Sequence, residues 1–250
     1  MLKKEITNQI KWYCVYMDWN VAFNGKSRGN RHLFRVNRII KFLAKKENSN
    51  LFISEMGGWV HDLSLVNGND NNPENIKKIV EPFLMSLEIN SSIAAKILEC
   101  AVSHEGGKKA MSLEAKIVHD ADVIDKSGIL GIIRHSWKVV NLINPNIKTE
   151  DLFKLLQNHL KERQQKLYTE SAKKIVVKLN ESCAIFFKEK TQAITILEII
   201  IPMAKRGMTS DAIATYLFKK KMFCSPLLKD QLNCYYLNNP EGAGRLGNSL

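Results

Sequence analysis

Apolar positions along the chain recur at helical spacing, and the strict alternation a half-buried strand needs is rare. Between His32 and Glu47, Leu33, Val36, Ile40 and Leu43 fall three and four residues apart, with Arg35, Arg38, Lys41 and Lys45 elsewhere around the turn. That pattern predicts an amphipathic helix. A second helix is predicted over residues 51–63, with Ile53, Met56, Val60 and Leu63 on its inner side. Gly57 and Gly58 weaken it by about 1 kcal/mol each, so they imply close packing against another helix or room for a ligand. The Asn- and Gly-rich stretch 66–73 is a loop by composition. Pro73 suits the first turn of a helix to Leu87. Asn90 or Ser91 can cap the next, which runs through Ile93, Ile97, Leu98, Ala101 and Val102 towards His104. Residues 105–111 form a basic, Gly-containing loop, and Ser112 caps a helix ending near Ile124. Another runs from Gly128 to near Leu142, and Thr149 opens a long helical region reaching Lys190. Pro202 and Gly207 break the segment beyond Lys190, Thr209 or Ser210 caps a helix through Phe223, and residues 238–250 are expected to fray. The predicted class is all-α, with the chemically interesting residues at or near helix ends.

Composition adds bounds. Of 250 residues, 45% are apolar, enough for a sizeable core, and the length allows one large domain or a domain with an appendage. The formal charge is +12, and the last hundred residues hold 16 Lys and Arg against 9 Asp and Glu. Such a balance favours anionic partners, although scattered lysines also fit an ordinary solvated surface. Five cysteines (Cys14, Cys100, Cys183, Cys224, Cys234) include no C-x-x-C pair and no zinc-finger spacing, and they read as reduced structural thiols of a cytoplasmic protein. No signal peptide is evident. The most apolar stretch, from Ala193 to Ala204, is too short to span a bilayer, so no membrane partner is expected.

The informative chemistry is a set of four residues: His32, the pair His61-Asp62, and Asp122 inside the run His119-Asp-Ala-Asp-Val-Ile-Asp125. A lone His near a helix start, or a bare His-Asp dipeptide, means little. Here the order is His, then His-Asp, then Asp, each within a helical pattern. Two imidazoles and two carboxylates suit a divalent metal with octahedral leanings. Trp59, Val60 and Leu63 around the pair place it at the end of a buried helix, where both side chains would be costly unless satisfied. No Gly-rich phosphate loop with its Lys-Ser or Lys-Thr is present, and no Ser or Cys nucleophile motif.

The arrangement resembles the HD-domain superfamily of metal-dependent phosphohydrolases, and within it the small bacterial enzymes that act on nucleotides as pyrophosphohydrolases. The similar stretches are 32–36, 59–63, 102–105, 112–125 with Gly128 and Gly131, and parts of 158–174, so the likeness covers residues 10–190. It departs in the short loop after His104, which reads Glu-Gly-Gly-Lys-Lys, and in Leu63-Ser64 after Asp62. The resemblance implies an HD-domain helical bundle over 1–190, with a C-terminal helical extension over 191–250. It implies a divalent ion (Mn²⁺, Mg²⁺, Fe²⁺, Co²⁺ or Ni²⁺) on His32, His61, Asp62 and Asp122.

In that reading Asp62 both ligates the ion and orients the attacking water. His104 serves as general acid or phosphate contact, and Glu105 assists water or a second metal. Asp125 holds a ligand histidine in place, whereas Asp120 points away and is expected to be solvated. Arg35, Lys108, Lys109, Lys126 and Arg134 are the candidate phosphate contacts. The expected partner is a phosphate-containing small molecule, a nucleotide first. The alternatives are an HD-type nuclease or cyclic-nucleotide phosphodiesterase on a nucleic-acid-like substrate, for which Lys11-Trp12-Tyr13 and the run 219–223 are weak support, and a non-catalytic binding module. Ile194, Ile196, Leu197, Ile199, Ile200 and Ile201 are too apolar to lie exposed on a monomer. They either complete the core or make a homo-oligomer contact.

Overall fold

The computed structural model describes residues 3–68, 71–105, 107–164 and 167–222. Cys224, Cys234, Phe223 and the stretch 238–250 lie outside the described residues. Within them the chain is all-α, with eleven α-helices and no strand. These are α1 (Lys3–Asn20), α2 (His32–Lys46), α3 (Leu51–Val60), α4 (Pro73–Ser86), α5 (Ser91–Ser103), α6 (Leu113–Asp125), α7 (Gly128–Lys138), α8 (Thr149–Gln164), α9 (Glu170–Lys188), α10 (Lys190–Lys205) and α11 (Ser210–Lys219). Among the described residues no helix is long and apolar enough to cross a membrane.

Helix starts follow local side-chain chemistry. Asn50, Asn72 and Asn90 accept hydrogen bonds from the first free amides of α3, α4 and α5. Pro73 follows Asn72 in the position where its missing N–H costs nothing. Ser112 Oγ accepts from Ala115 N at 3.2 Å, and Thr209 Oγ1 accepts from Ala212 N at 3.2 Å. The long helical region expected from Thr149 to Lys190 is two helices. Thr169 caps α9, its Oγ1 accepting from Ala172 N at 3.3 Å, and this start signal lies inside a run without Gly or Pro to mark it. Pro202 does not break the chain as expected. It lies inside α10, which ends at Lys205 ahead of Gly207 in the left-handed region at φ +83°. Helix α1 was not legible in the apolar pattern, because it buries only Ile10, Cys14 and Val15.

The chain forms two compact units, one of residues 1–28 and 32–122 and the other of 29–31 and 123–250. The core of the first is built from Leu33, Val36, Ile40 and Leu43 of α2, Ile53, Met56 and Val60 of α3, Ile97 and Ala101 of α5, and Ile117 and Val118 of α6. The apolar face expected on α2 is therefore the buried one. At roughly 1.5–3 kcal/mol for each large side chain taken out of water, these residues dominate the stability of the unit. The paired glycines of α3 resolve into close helix packing. A Cβ on Gly57 would lie 2.5 Å from Cys100 Cβ of α5, and one on Gly58 would lie 2.2 Å from Ile40 Cδ1 of α2.

The second unit packs Ile129, Ile132 and Ile133 of α7 against Leu152 and Leu156 of α8, Phe186 of α9, and Ile196, Leu197, Ile200 and Ile201 of α10. Ile194 and Ile199 are partly buried against the same cluster. The apolar stretch of α10 thus completes a core within the chain, and α9 and α10 share that core on both sides of position 190.

Candidate metal centre

All four residues singled out as metal ligands fall in the first unit, at or near helix ends. His32 opens α2, His61 and Asp62 directly follow α3, and Asp122 lies in the last turn of α6. His104, directly after α5, joins them. Side-chain positions at a helix end are set by how the helices cross, and here the ends of α2, α3, α5 and α6 bring these groups to one point. His32, His61, His104 and Asp122 are at most 2% exposed and Asp62 is 8% exposed.

The distances are those of a shared ligand cage. His32 Nε2 lies 3.1 Å from Asp62 Oδ2, 3.2 Å from Asp122 Oδ1 and 3.2 Å from His61 Nε2. His61 Nε2 lies 3.4 Å from Asp62 Oδ1 and 3.7 Å from Asp122 Oδ1. Ligands about 2.1 Å from an octahedral cation stand roughly 3 Å apart when adjacent and about 4.2 Å when opposite. The observed spacings fall in that range. The donor atoms of His32, His61 and Asp122 all lie within 4.8 Å of one another, and so do those of His104, Glu105 and Asp122.

Protonation sharpens the fit. His61 Nδ1 donates to Gly58 O at 2.8 Å, and His104 Nδ1 donates to Ala101 O at 2.6 Å. Both acceptors are carbonyls of the closing helical turn, which have no partner inside the helix. With its one proton spent on Nδ1, a neutral ring presents an Nε2 lone pair to the site. At His61 and His104 these lone pairs face carboxylate oxygens, and His61 Nε2 also meets His32 Nε2. His104 Nε2 and Asp62 Oδ1, 3.6 Å apart, are buried and make no hydrogen bond. Such a cluster is stable only with a positive charge inside it, either protons on the imidazoles or a cation. The buried His and Asp groups can hold a metal ion.

Electrostatics point the same way. Burial works to raise the Asp62 carboxyl, but His61, His32 and His104 outweigh it and hold the group well below the usual carboxylate range. Burial works to lower His104, and Asp62, Glu105 and Asp122 outweigh it and raise the ring above its ordinary value.

The remaining expected residues are distributed differently. Asp120 is fully buried, which overturns its expected solvation, because the inward face of α6 is wider than a single Asp122 stripe. His119 is buried and its Nδ1 donates to His104 O at 2.6 Å, fastening α6 to the end of α5, a contact that sequence spacing gave no means of finding. Asp125, Lys126 and Arg134 belong to the second unit, where Arg134 Nη1 donates to Asp125 Oδ2. Arg35 is buried in α2. Lys108 and Lys109 are exposed, and Lys108 stands at the rim of a cavity of about 540 Å³ between α4 and α5 whose lining includes none of the metal-site residues. Glu99 accepts from the amides of Met111 and Ser112 at 2.9 Å each and so fixes the loop that leads from His104 into α6.

Comparison with known proteins bears on the fold. No family model matches the chain. The chain is 30% identical over 108 residues to the uncharacterised protein YpgQ of Bacillus subtilis (strain 168), an alignment covering 41% of this chain and 53% of YpgQ. The match thus spans about half the length of that relative. The crystal structure of Bacillus subtilis YpgQ superposes with a TM-score of 0.60 at 20% identity, covering 78% of this chain and 98% of that one. A second crystal structure, of YpgQ in complex with ADP, superposes with a TM-score of 0.60 over 77% of this chain and 97% of that one, again at 20% identity. The likeness is one of fold.

Proposed function

We propose that the protein is a metal-dependent phosphohydrolase of the HD type, which cleaves a phosphoanhydride or phosphoester bond of a nucleotide. The observation that carries the reading is the buried meeting of imidazole Nε2 atoms and carboxylate oxygens at 3.1–3.7 Å. The order His32, His61-Asp62, Asp122 and its resemblance to HD phosphohydrolases support it. So does the crystallisation of the similarly folded YpgQ with ADP, which favours a nucleotide as the ligand class.

In this reading His32, His61, Asp62 and Asp122 hold a divalent ion. The bound ion would lower the pKa of water and polarise a phosphoryl oxygen. Asp62 has the geometry to position that water: Oδ2 faces His32, while Oδ1 is left without a hydrogen bond and can accept one from water. The water oxygen would form the new bond to phosphorus as the bond to the leaving oxygen breaks, with Asp62 orienting the water and the released proton passing to the leaving oxygen or to solvent. The carbonyls of Gly58 and Ala101 keep His61 and His104 in the orientation this requires.

The test is phosphate or pyrophosphate release from nucleoside mono-, di- and triphosphates with Mn²⁺, Mg²⁺, Co²⁺ and Ni²⁺ in parallel. Cyclic dinucleotides and single-stranded DNA serve as the competing substrates. Metal-dependent turnover of a nucleotide is expected, and His61→Ala and Asp62→Ala should each abolish it while far-UV circular dichroism stays helical. Undiminished turnover in both variants would remove the mechanism.

A further inference from the structure

We infer that the outer face of α1 is a docking surface for a single-stranded nucleic acid, whose bases stack on Trp12, Tyr13 and Tyr16. The surface is separate from the metal centre and does not rest on the metal-dependent reading. At about 100° per residue, positions 9, 12, 13, 16 and 20 share one stripe of a helix, and on α1 all five are exposed. Trp12 is 56% exposed, Tyr13 41% and Tyr16 60%. Three large rings bare within a turn and a half of one helix mark an interaction surface.

Two of the rings are braced from behind. Tyr13 stacks on Phe83 of α4, with centroids 4.2 Å apart and planes 20° apart. Trp12 meets Phe34 of α2 edge-on at 6.4 Å. A ring already held by the protein loses little freedom when a base lands on its open side. Lys11 Nζ lies 4.7 Å from the Trp12 ring centroid, 5.5 Å from that of Phe34 and 5.6 Å from that of Trp59. Three rings attracting one ammonium fix a cation beside the exposed Trp12. Phe34 and Trp59 each stand two residues from a metal-site histidine, about 200° around the helix. The aromatic cluster therefore faces away from the metal centre.

Charge chooses the occupant. The chain carries +12. Lys4 and Lys11, seven residues apart, fall on one flank of the stripe, while the acids of α1, Glu5 and Asp18, stand towards its two ends. An uncharged sugar has no use for the lysines, and a second copy would bring the same positive charge. A single strand offers flat bases to the rings and phosphates to the ammonium groups. Trp12 and Tyr16 are about 6 Å apart along the helix axis. That is longer than the 3.4 Å step of a duplex strand and suits an extended strand with its bases unstacked.

The test is fluorescence anisotropy of labelled deoxythymidine and uridine oligomers titrated with the full chain in chelator. Binding of at least one oligomer is expected, weakening steeply with salt, and a duplex of the same length should bind less tightly. Trp12→Ala and Tyr16→Ala should each weaken binding roughly tenfold, whereas Tyr16→Phe, which keeps the ring, should bind like the unaltered chain. Lys11→Gln should reduce the slope of log affinity against log salt by about 0.7, the share of one phosphate on a single strand. His61→Ala should leave the affinity unchanged. Absence of binding overturns the inference. So does binding indifferent to both alanine variants, which would come from net charge alone, and so does a fall in affinity with His61→Ala, which would put the strand in the metal centre. A light-scattering mass that drops in Trp12→Ala while oligomer binding persists would assign the face to a second copy and overturn it too. With metal stripped throughout, failure of the phosphohydrolase reading leaves each of these outcomes as it stands.

Discussion

Replacing Gly57 by alanine should destabilise the protein and weaken its metal site together. The added Cβ would stand 2.5 Å from Cys100 Cβ, 2.8 Å from Cys100 Sγ and 3.2 Å from Val118 Cγ2. Carbon atoms in contact prefer about 3.5–4.0 Å, so α3 and α5 would have to part by about 1 Å. The thiol can rotate away, but Cys100 Cβ is fixed to the backbone of α5. Overpacking of this kind costs about 1–3 kcal/mol or more, and the helical preference of Ala over Gly returns about 1 kcal/mol. At the upper end of that range, where an overlap of about 1 Å with a backbone-fixed carbon falls, the net loss is about 2 kcal/mol and lowers Tm by roughly 4–8 °C in a chain of this size. Because α3 leads into His61 and Asp62 and α5 into His104, the same separation spoils ligand spacing. The assay is thermal melting by circular dichroism in chelator, with Mn²⁺ titration in parallel. Gly57→Ala combined with Cys100→Gly adds a methyl group on α3 and removes the CH₂–SH group facing it on α5, and the pair should show a favourable coupling of at least about 1 kcal/mol. A Gly57→Ala protein that melts at or above the original temperature refutes the close-packing account, as does strict additivity in the double variant.

Other consequences stem from buried and hydrogen-bonded groups elsewhere. Burial pushes the Cys183 thiol up to about 12 and raises Cys14 and Cys100 further, with Asp18 adding to the first and Glu99 and Glu114 to the second. A thiol pKa raised by folding contributes stability that is complete below the ordinary thiol value near 8.5 and lost as pH climbs towards the folded value. Urea midpoints should therefore fall between pH 8 and 10, and iodoacetamide should leave these three residues unmodified in the folded chain by peptide mapping. Native-state alkylation of any of them at the rate of a free thiol contradicts their burial. Glu99 is held below its ordinary value, burial being outweighed by the hydrogen bonds from Ser112 and Met111. Its contribution is present above about pH 4.3 and disappears as pH drops below it. Glu99→Ala should speed hydrogen exchange at the amides of 111 and 112 about tenfold, the loss of one modest hydrogen bond, and unchanged exchange there would show that the loop is held by other contacts.

Much of the secondary structure was legible locally. The buried stripe of α2, the Asn caps of α3, α4 and α5, the Ser and Thr caps of α6 and α11, and the glycine stop after α10 are all written in residues within one or two turns of where they act. These signals reside in backbone propensity and short hydrogen bonds, so a single strand of letters carries them. The sequence also singled out His32, His61, Asp62 and Asp122 by their order along the helices, the His61-Asp62 pair because polar residues inside an apolar helical pattern must find a partner, and His104 by the family resemblance.

What no local pattern determined is which groups meet. The packing of α3 on α5 through Gly57 and Cys100, the full burial of Asp120, the seating of His119 on the carbonyl of His104, and the division of the chain within α6 after Asp122 depend on contacts between residues far apart in sequence. So does the choice of tautomer at His61 and His104, which turns two ordinary imidazoles into a pair of inward lone pairs. Spacing can nominate ligands. Only helices closing on one another bring their nitrogen and oxygen atoms within reach of one ion, because that geometry depends on crossing angles and side-chain volumes summed over the whole core.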